Sequence, residues 1–220
     1  MKLLSVSCGL PREVEWHGRV VSTGIFKQPV EGRVALRKLN LDGDRQADLT
    51  VHGGEDKAVY CYPFEHYAFW KSELPGRELP LGQFGENFTT QGEDLFEDSV
   101  HLGDRLSIGS AEIVVTQPRL PCYKLGIRFG DDQMPKRFLA SRRTGFYVSV
   151  AREGEVAAGD DIRLVSRDPI RVPLPAITHL YVAKHYSPDD LAILEKALAV
   201  PALPESWKKY LRARRDQTLS

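Results

Sequence analysis

The strongest constraint on the fold is the stretch from Val20 to about Val165, which reads as many short strands separated by Gly/Asp turns. Val34–Leu36, Ser99–Leu102, Arg105–Ile108, Glu112–Thr116, Gly145–Val150 and Asp161–Val165 are the candidate strands. A chain with this punctuation protects its strand edges by forming a sandwich or a closed barrel. Two helices are expected to interrupt the pattern. One lies near Phe64–Ser72, where Tyr67 and Trp70 share a face, and the other near Asp132–Ser141. The fold class that follows is mainly β: a β-barrel with inserted helices.

The character changes after Ser166. Arg167-Asp168-Pro169 and Pro173-Leu174-Pro175 read as a linker. Ser187-Pro188-Asp189-Asp190 is a helix start, with a serine N-cap, proline at the first position and acids in the first turn. Leu191, Leu194 and Leu198 follow at helical spacing. Pro201 and Pro204 end that helix, and Glu205 opens another with Trp207 and Leu211 four apart. With an earlier helix around Ala176–Ala183, these segments make a small C-terminal three-helix bundle. The expected division is residues 1–166 for the barrel and 167–220 for the helices.

Lys+Arg and Asp+Glu both number 30, so a chain-wide basic field for nucleic acid is absent. The basic run Lys208–Arg215 is explained by the solvated face of a helix, and no nucleic-acid partner is expected. No apolar run approaches the ~20 residues that span a bilayer, and Gly9, Pro11 and Arg12 end the apolar start too early for a signal peptide. No membrane partner is expected. The cysteines are Cys8, Cys61 and Cys122, odd in number and without a C-x-x-C pair. That argues against a zinc knuckle, an iron–sulfur site or a disulfide framework, and favours a reducing cytoplasm. Walker, Rossmann, H-E-x-x-H and G-x-S-x-G motifs are missing.

Three runs can carry chemistry. Val114-Val115-Thr116-Gln117-Pro118-Arg119-Leu120-Pro121-Cys122 leads a β-branched strand into a turn fixed by two prolines, with an arginine three residues before a thiol. A nearby guanidinium favours a nucleophilic or metal-ligating sulfur. Taken alone, the run also fits a cysteine that is only a small buried hydrophobe. In His52-Gly53-Gly54-Glu55-Asp56-Lys57, paired glycines let the backbone approach an anion, with His52 and Lys57 flanking them. A plain Gly-Gly turn is the alternative. Phe84-Gly85-Glu86-Asn87 offers an amide for a heterocycle edge, or merely a satisfied turn. Gly43-Asp44 and Gly103-Asp104 read as hairpin or bulge turns. Thr23 and Lys27, with Arg19 and Ser22, are candidate phosphate donors near the start of the barrel region.

In this order, His52–Lys57, Phe84–Asn87, Gly103-Asp104, Gln117–Arg119 and Cys122 resemble the MOSC domain, the family named for the C-terminal part of molybdenum-cofactor sulfurases. The resemblance is nearest to its stand-alone, YiiM-like bacterial branch, in which a "3-alpha" helical domain follows. It covers roughly Val20–Val165, with the C-terminal helices matching the second domain. It implies a β-barrel that holds the molybdenum cofactor (molybdopterin), with Cys122 as catalytic residue and molybdenum ligand. His52, Gly53, Gly54, Lys57, Arg119, Lys27 and Thr23 would then serve the cofactor's phosphate, and Asn87 the pterin edge. It also implies reduction of N-hydroxylated compounds, including N-hydroxylated purines. No flavin or iron–sulfur module is present, so electrons would come from a separate flavin-containing reductase. A homodimer is compatible with this reading. The competing classes are a non-catalytic carrier of the cofactor or of sulfur, and a metal-independent thiol enzyme.

Overall fold

The computed structural model describes residues 1–47 and 53–219. The chain begins with β1 (Lys2–Cys8), a hairpin of β2 (Arg12–Trp16) and β3 (Arg19–Thr23), and the short strands β4 (Gln28–Pro29) and β5 (Val34–Leu36). β6 (Val59–Pro63), α1 (His66–Glu73), β7 (Phe88–Gln91), β8 (Arg105–Ile108) and β9 (Ala111–Pro118) follow. Next come α2 (Tyr123–Phe129), α3 (Met134–Ala140), β10 (Phe146–Arg152), β11 (Gly154–Val156) and β12 (Ile162–Ser166). The last three elements are α4 (Leu174–Val182), α5 (Pro188–Ala199) and α6 (Glu205–Leu219).

The central sheet has eight strands in the order β12-β8-β9-β10-β6-β7-β1-β4. Neighbours are antiparallel except β6 and β7, which run parallel because α1 carries the chain across between them. The hydrogen-bonded ladders do not close into a ring. Instead Lys2 bridges Asp161 and the Ile162 N–H donates to the Met1 carbonyl at 2.9 Å, so β1 curls back to the start of β12. The architecture is thus a large, curled, mixed sheet with six helices among the described residues. The closed barrel read from the sequence is approached through that junction without a continuous ladder.

The expected strands over Val34–Leu36, Arg105–Ile108, Glu112–Thr116, Gly145–Val150 and Asp161–Val165 form to within a few residues. Ser99–Leu102 does not. The Asp104 carboxylate accepts the His101 N–H and Arg167 Nη1, which turns the segment away from the sheet. It pairs instead with the approach to α4, through a His101–Pro173 bridge and a Leu102-to-Val172 hydrogen bond. Pro173 and Pro175 likewise do not form a linker. Pro173 is the N-cap of α4 and Pro175 lies in its first turn, where a missing N–H costs nothing. α5 starts as its sequence dictates, with reciprocal hydrogen bonds between Ser187 and Asp190 forming a capping box.

Two apolar clusters position the site. One is continuous from the sheet, through Val115, Val148 and Phe146, into the C-terminal helices, through Leu174, Ile177, Leu194, Trp207 and Leu211. The other is aromatic, and packs Tyr60, Tyr62, Tyr67, Trp70, Phe84, Phe129 and Phe138 beneath α1, α2 and α3. The turn that follows β9 crosses between them.

Candidate functional site

β9 ends at Pro118, and the Arg119 N–H makes one more bond to the sheet, to the Gly145 carbonyl at 3.1 Å. The chain then turns through Leu120-Pro121-Cys122. The Cys122 carbonyl accepts the Leu125 N–H at 2.9 Å and starts α2. This fixes a half-buried Cys122 side chain where two cavities meet. The first is a cleft of about 660 Å³, lined by Thr23, Lys27, Arg45, Lys57, Arg119 and Lys124 together with Tyr60, Gly85, Asn87, Cys122 and Tyr147. No carboxylate is among the described residues that line it, and the cations there favour an anion.

Arg119 is 5% exposed, with its guanidinium over the rings of Tyr60 (4.7 Å) and Phe138 (5.0 Å). Burial opposes its charge, yet Tyr60, Tyr147 and Cys122 around it outweigh burial and hold its pKa above the ordinary value. A hydrogen bond ties it to Tyr147, but its Nη1, shut away from solvent, has no hydrogen-bond partner among the described residues. A buried donor left unsatisfied costs about 1–3 kcal/mol. An acceptor bound in the cleft would remove that cost.

Lys57 reaches the same place by another route. Gly54 takes a φ of 96°, which favours glycine, and a single helical turn over Glu55–Lys57 follows. Two side chains of β9 hold that turn. Thr116 Oγ1 donates to the Asp56 carbonyl at 2.7 Å, and Gln117 Nε2 donates to it at 3.2 Å. Burial pushes the Lys57 pKa down, while Asp56 and Cys122 pull the other way.

The floor of the cleft is a closed polar network. Lys27 Nζ pairs with Asp44 Oδ1, which also accepts the Gly9 N–H at 2.9 Å. Asp44 Oδ2 accepts from Asn87 Nδ2 at 2.9 Å. Asn87 also donates to the Ser7 carbonyl and accepts the Tyr60 N–H, both at 3.2 Å. Its amide is therefore occupied in joining β1 to β6. Thr23 Oγ1 accepts the Ile25 N–H at 3.2 Å. Cys8 sits beside this network, its thiol pushed up to about 11 by burial and by Asp44. Burial raises the Cys61 thiol further.

The structure thus brings Cys122, Lys57, Arg119, Asn87, Lys27 and Thr23 to one cleft. Gly54 lines an adjoining hollow that shares Arg45 and Gln46 with it, and Gly53 does not line the cleft. His52 lies outside the described residues. Sequence reading missed Arg45, which hides behind the Gly43-Asp44 turn, and Lys124, two residues past the thiol. It also missed Tyr60 and Tyr147, which look like ordinary strand aromatics. Four residues, Lys57, Leu120, Cys122 and Tyr147, line the second cavity as well, whose far wall comes from the C-terminal helices.

The MOSC domain matches residues 48–163, and the YiiM-like, 3-alpha helix domain matches residues 178–218. The uncharacterized protein YflK of Bacillus subtilis (strain 168) is 38% identical over 99% of this chain and 96% of its own length. Protein YiiM of Escherichia coli (strain K12) is 36% identical, covering 88% of this chain and 84% of its own. A protein named reductase from Gibberella moniliformis (strain M3125 / FGSC 7600) is 32% identical over 75% of this chain, which is 29% of that longer protein. The crystal structure of YiiM from Geobacillus stearothermophilus superposes with a TM-score of 0.79 at 33% identity, covering 97% of this chain and 98% of that one.

Proposed function

This chain belongs to the MOSC-domain family, and on that premise we propose that it is a molybdenum-cofactor-dependent reductase of N-hydroxylated compounds, such as N-hydroxylated purine bases, supplied with electrons by a separate flavin-containing reductase. The observation that carries the proposal is the buried, unpartnered Nη1 of Arg119 in a cleft lined by cations and by the Cys122 thiol. Such a donor set suits a phosphorylated organic group whose metal takes a soft ligand. Cys122 would hold the metal, while Arg119, Lys57, Arg45 and Lys124 would hold the anionic part. Lys27, Asp44 and Asn87 would keep the floor rigid.

When bound, the cofactor supplies a two-electron centre able to accept oxygen from an N–OH group. The overall change takes two electrons and two protons and yields the parent amine and water. Lys57 Nζ stands beside Cys122 in both cavities, and burial makes it a readier proton donor than an exposed lysine. Tyr147, also lining both, keeps its hydroxyl protonated because burial raises its pKa. Tyr60 and Phe138 keep water from one side of the guanidinium. The fungal relative named reductase is consistent with electron-transfer chemistry in the family.

The test uses full-length protein loaded with the cofactor, with metal content and amine formation followed separately. Amine should form when a flavin reductase with NADH, or a chemical donor, is present, and not with NADH alone, since the chain carries no dinucleotide motif. Cys122→Ser should fold yet lose both metal and turnover. Loaded wild-type protein that forms no amine from several N-hydroxylated bases would defeat the reductase reading, and metal retained under those conditions would favour a carrier.

A further inference from the structure

Glu97 lies in the loop between β7 and β8 and is 6% exposed. A buried carboxylate is costly unless partners take up its oxygens, and an apolar side chain fills the same space at lower cost. Each oxygen of Glu97 has such a partner. Oε2 accepts from Nε2 of His66, the first residue of α1, at 2.8 Å. Oε1 accepts the Gly145 N–H at 2.6 Å. His66 is itself buried, with its ring 5.5 Å from that of Tyr62 and 5.3 Å from that of Phe96. The carboxylate is thus held from behind and directed at one peptide group. That group, between Thr144 and Gly145, is gripped on both sides, because its carbonyl accepts the Tyr60 hydroxyl at 2.8 Å. The next carbonyl, of Gly145, accepts the Arg119 N–H at 3.1 Å. Tyr60 presents its ring to the Arg119 guanidinium, and Tyr147, two residues beyond Gly145, bonds it. Gly145 has a φ of 65°, and a Cβ there would run into the Cys61 carbonyl oxygen, so the turn requires glycine.

Building on the reading of the cleft as an anion site, we propose that Glu97 is a positioning residue for that site. It holds the Thr144–Gly145 turn so that Arg119 presents its unsatisfied Nη1 to a bound phosphate. Glu97, His66 and Gly145 do not line the cleft, so their influence on a ligand passes through Arg119 and Tyr60. A guanidinium binds phosphate directionally, with its N–H groups matched to the oxygens, and a change in its angle weakens the pair. A turn fixed beforehand also spares the ordering that binding would otherwise require. The working property of Glu97 is therefore its reach from His66 to Gly145 rather than its charge.

The experiment titrates inorganic phosphate calorimetrically into full-length protein prepared without cofactor, with urea midpoints measured alongside. Wild type is compared with Glu97→Asp, Glu97→Gln, Tyr60→Phe and Arg119→Met. Glu97→Asp keeps the charge but is a methylene too short to span both partners. Glu97→Gln loses the charge but keeps the length and the acceptor for the Gly145 N–H. The expected result is a phosphate Kd raised about fivefold in Glu97→Asp and restored to within about twofold of wild type in Glu97→Gln. Tyr60→Phe cuts the other bond to the same peptide and keeps the ring, and should raise Kd about threefold. It carries the test if Glu97→Asp does not fold. Arg119→Met marks loss of the site itself, with Kd raised about tenfold or more. Unchanged affinity in folded Glu97→Asp, or in Tyr60→Phe where that variant decides, would overturn the proposal. So would weaker binding in Glu97→Gln than in Glu97→Asp, which would make the charge the working property. Phosphate bound as tightly by Arg119→Met as by wild type would instead defeat the anion-site reading, and the proposal would fall with it.

Discussion

The floor of the cleft and the rim around Cys122 each contain a buried cation, and the two are held in opposite ways. Lys27 on the floor is paired with Asp44, which is itself tied to Asn87 and to the Gly9 backbone. Arg119 on the rim lies between aromatic rings and tyrosine hydroxyls and, among the described residues, faces no carboxylate in the cleft and keeps one nitrogen unsatisfied. The floor therefore satisfies itself, while the rim is arranged for something that arrives. Charge in a pocket lining is thus no measure of binding until each charge has been matched against its partners.

The widest expected gap between the two regions is in thiol reactivity. Cys122 is half-buried on the rim, Cys8 is buried beside the floor, and Cys61 is buried in the sheet. Reaching Cys61 requires opening the sheet, at a cost approaching the global stability of ~5–15 kcal/mol. Iodoacetamide at pH 8 should therefore modify Cys122 in the native protein and leave the other two intact, as read by peptide mass mapping. Comparable labelling of Cys8 would erase the distinction.

Next in size is Lys27→Met. It strands the Asp44 carboxylate in the interior and should lower stability by ~3–5 kcal/mol in urea titrations. Arg119→Met should leave stability within ~1 kcal/mol of wild type, since no buried anion loses its partner. Equal losses for the two variants would mean that the floor and rim do not differ in the way described.

The Cys8 thiol gives a pH signature of the floor. In the folded chain it stays protonated up to about pH 11, against 9.0 for an ordinary thiol. The stability this confers is complete below pH 9 and is lost as pH rises through 11, a decline of at most about 2–3 kcal/mol. Cys8→Ala should show a shallower decline over that interval. The smallest effect concerns binding to the rim. Arg119→Met and Lys57→Met should each weaken cofactor retention by ~1–3 kcal/mol in reconstitution titrations, with Lys27→Met affecting it only as far as it unfolds the floor.

Legibility in the sequence follows the same division. The rim was readable because Pro118, Pro121, Arg119 and Cys122 are close neighbours whose local geometry does not depend on distant partners. β-branched residues and the Ser187–Asp190 cap likewise announce β9 and α5 from local physics. The floor was not readable. Gly43-Asp44 looks like any turn, and only the tertiary fold reveals that Asp44 takes up both Lys27 and Asn87. The strand read over Ser99–Leu102 failed for the same reason, since Asp104 and Arg167, 63 residues apart, decide its path. α2 is not legible in the sequence because it opens directly behind the Pro121-Cys122 turn with no polar side-chain cap to announce it. The far wall of the second cavity is equally hidden: Trp207 was placed on a helix face, but its partner Gln117 lies 90 residues earlier.

That long-range bond has a consequence for how the protein comes into being. During synthesis the thiol, the arginine and the strand that carries them emerge well before α6. Until α6 docks, Gln117 lacks its indole partner and the wall opposite Cys122 is open. A growing chain therefore presents the Cys122 thiol before the wall that faces it exists, and the docking of α6 closes that side of the second cavity.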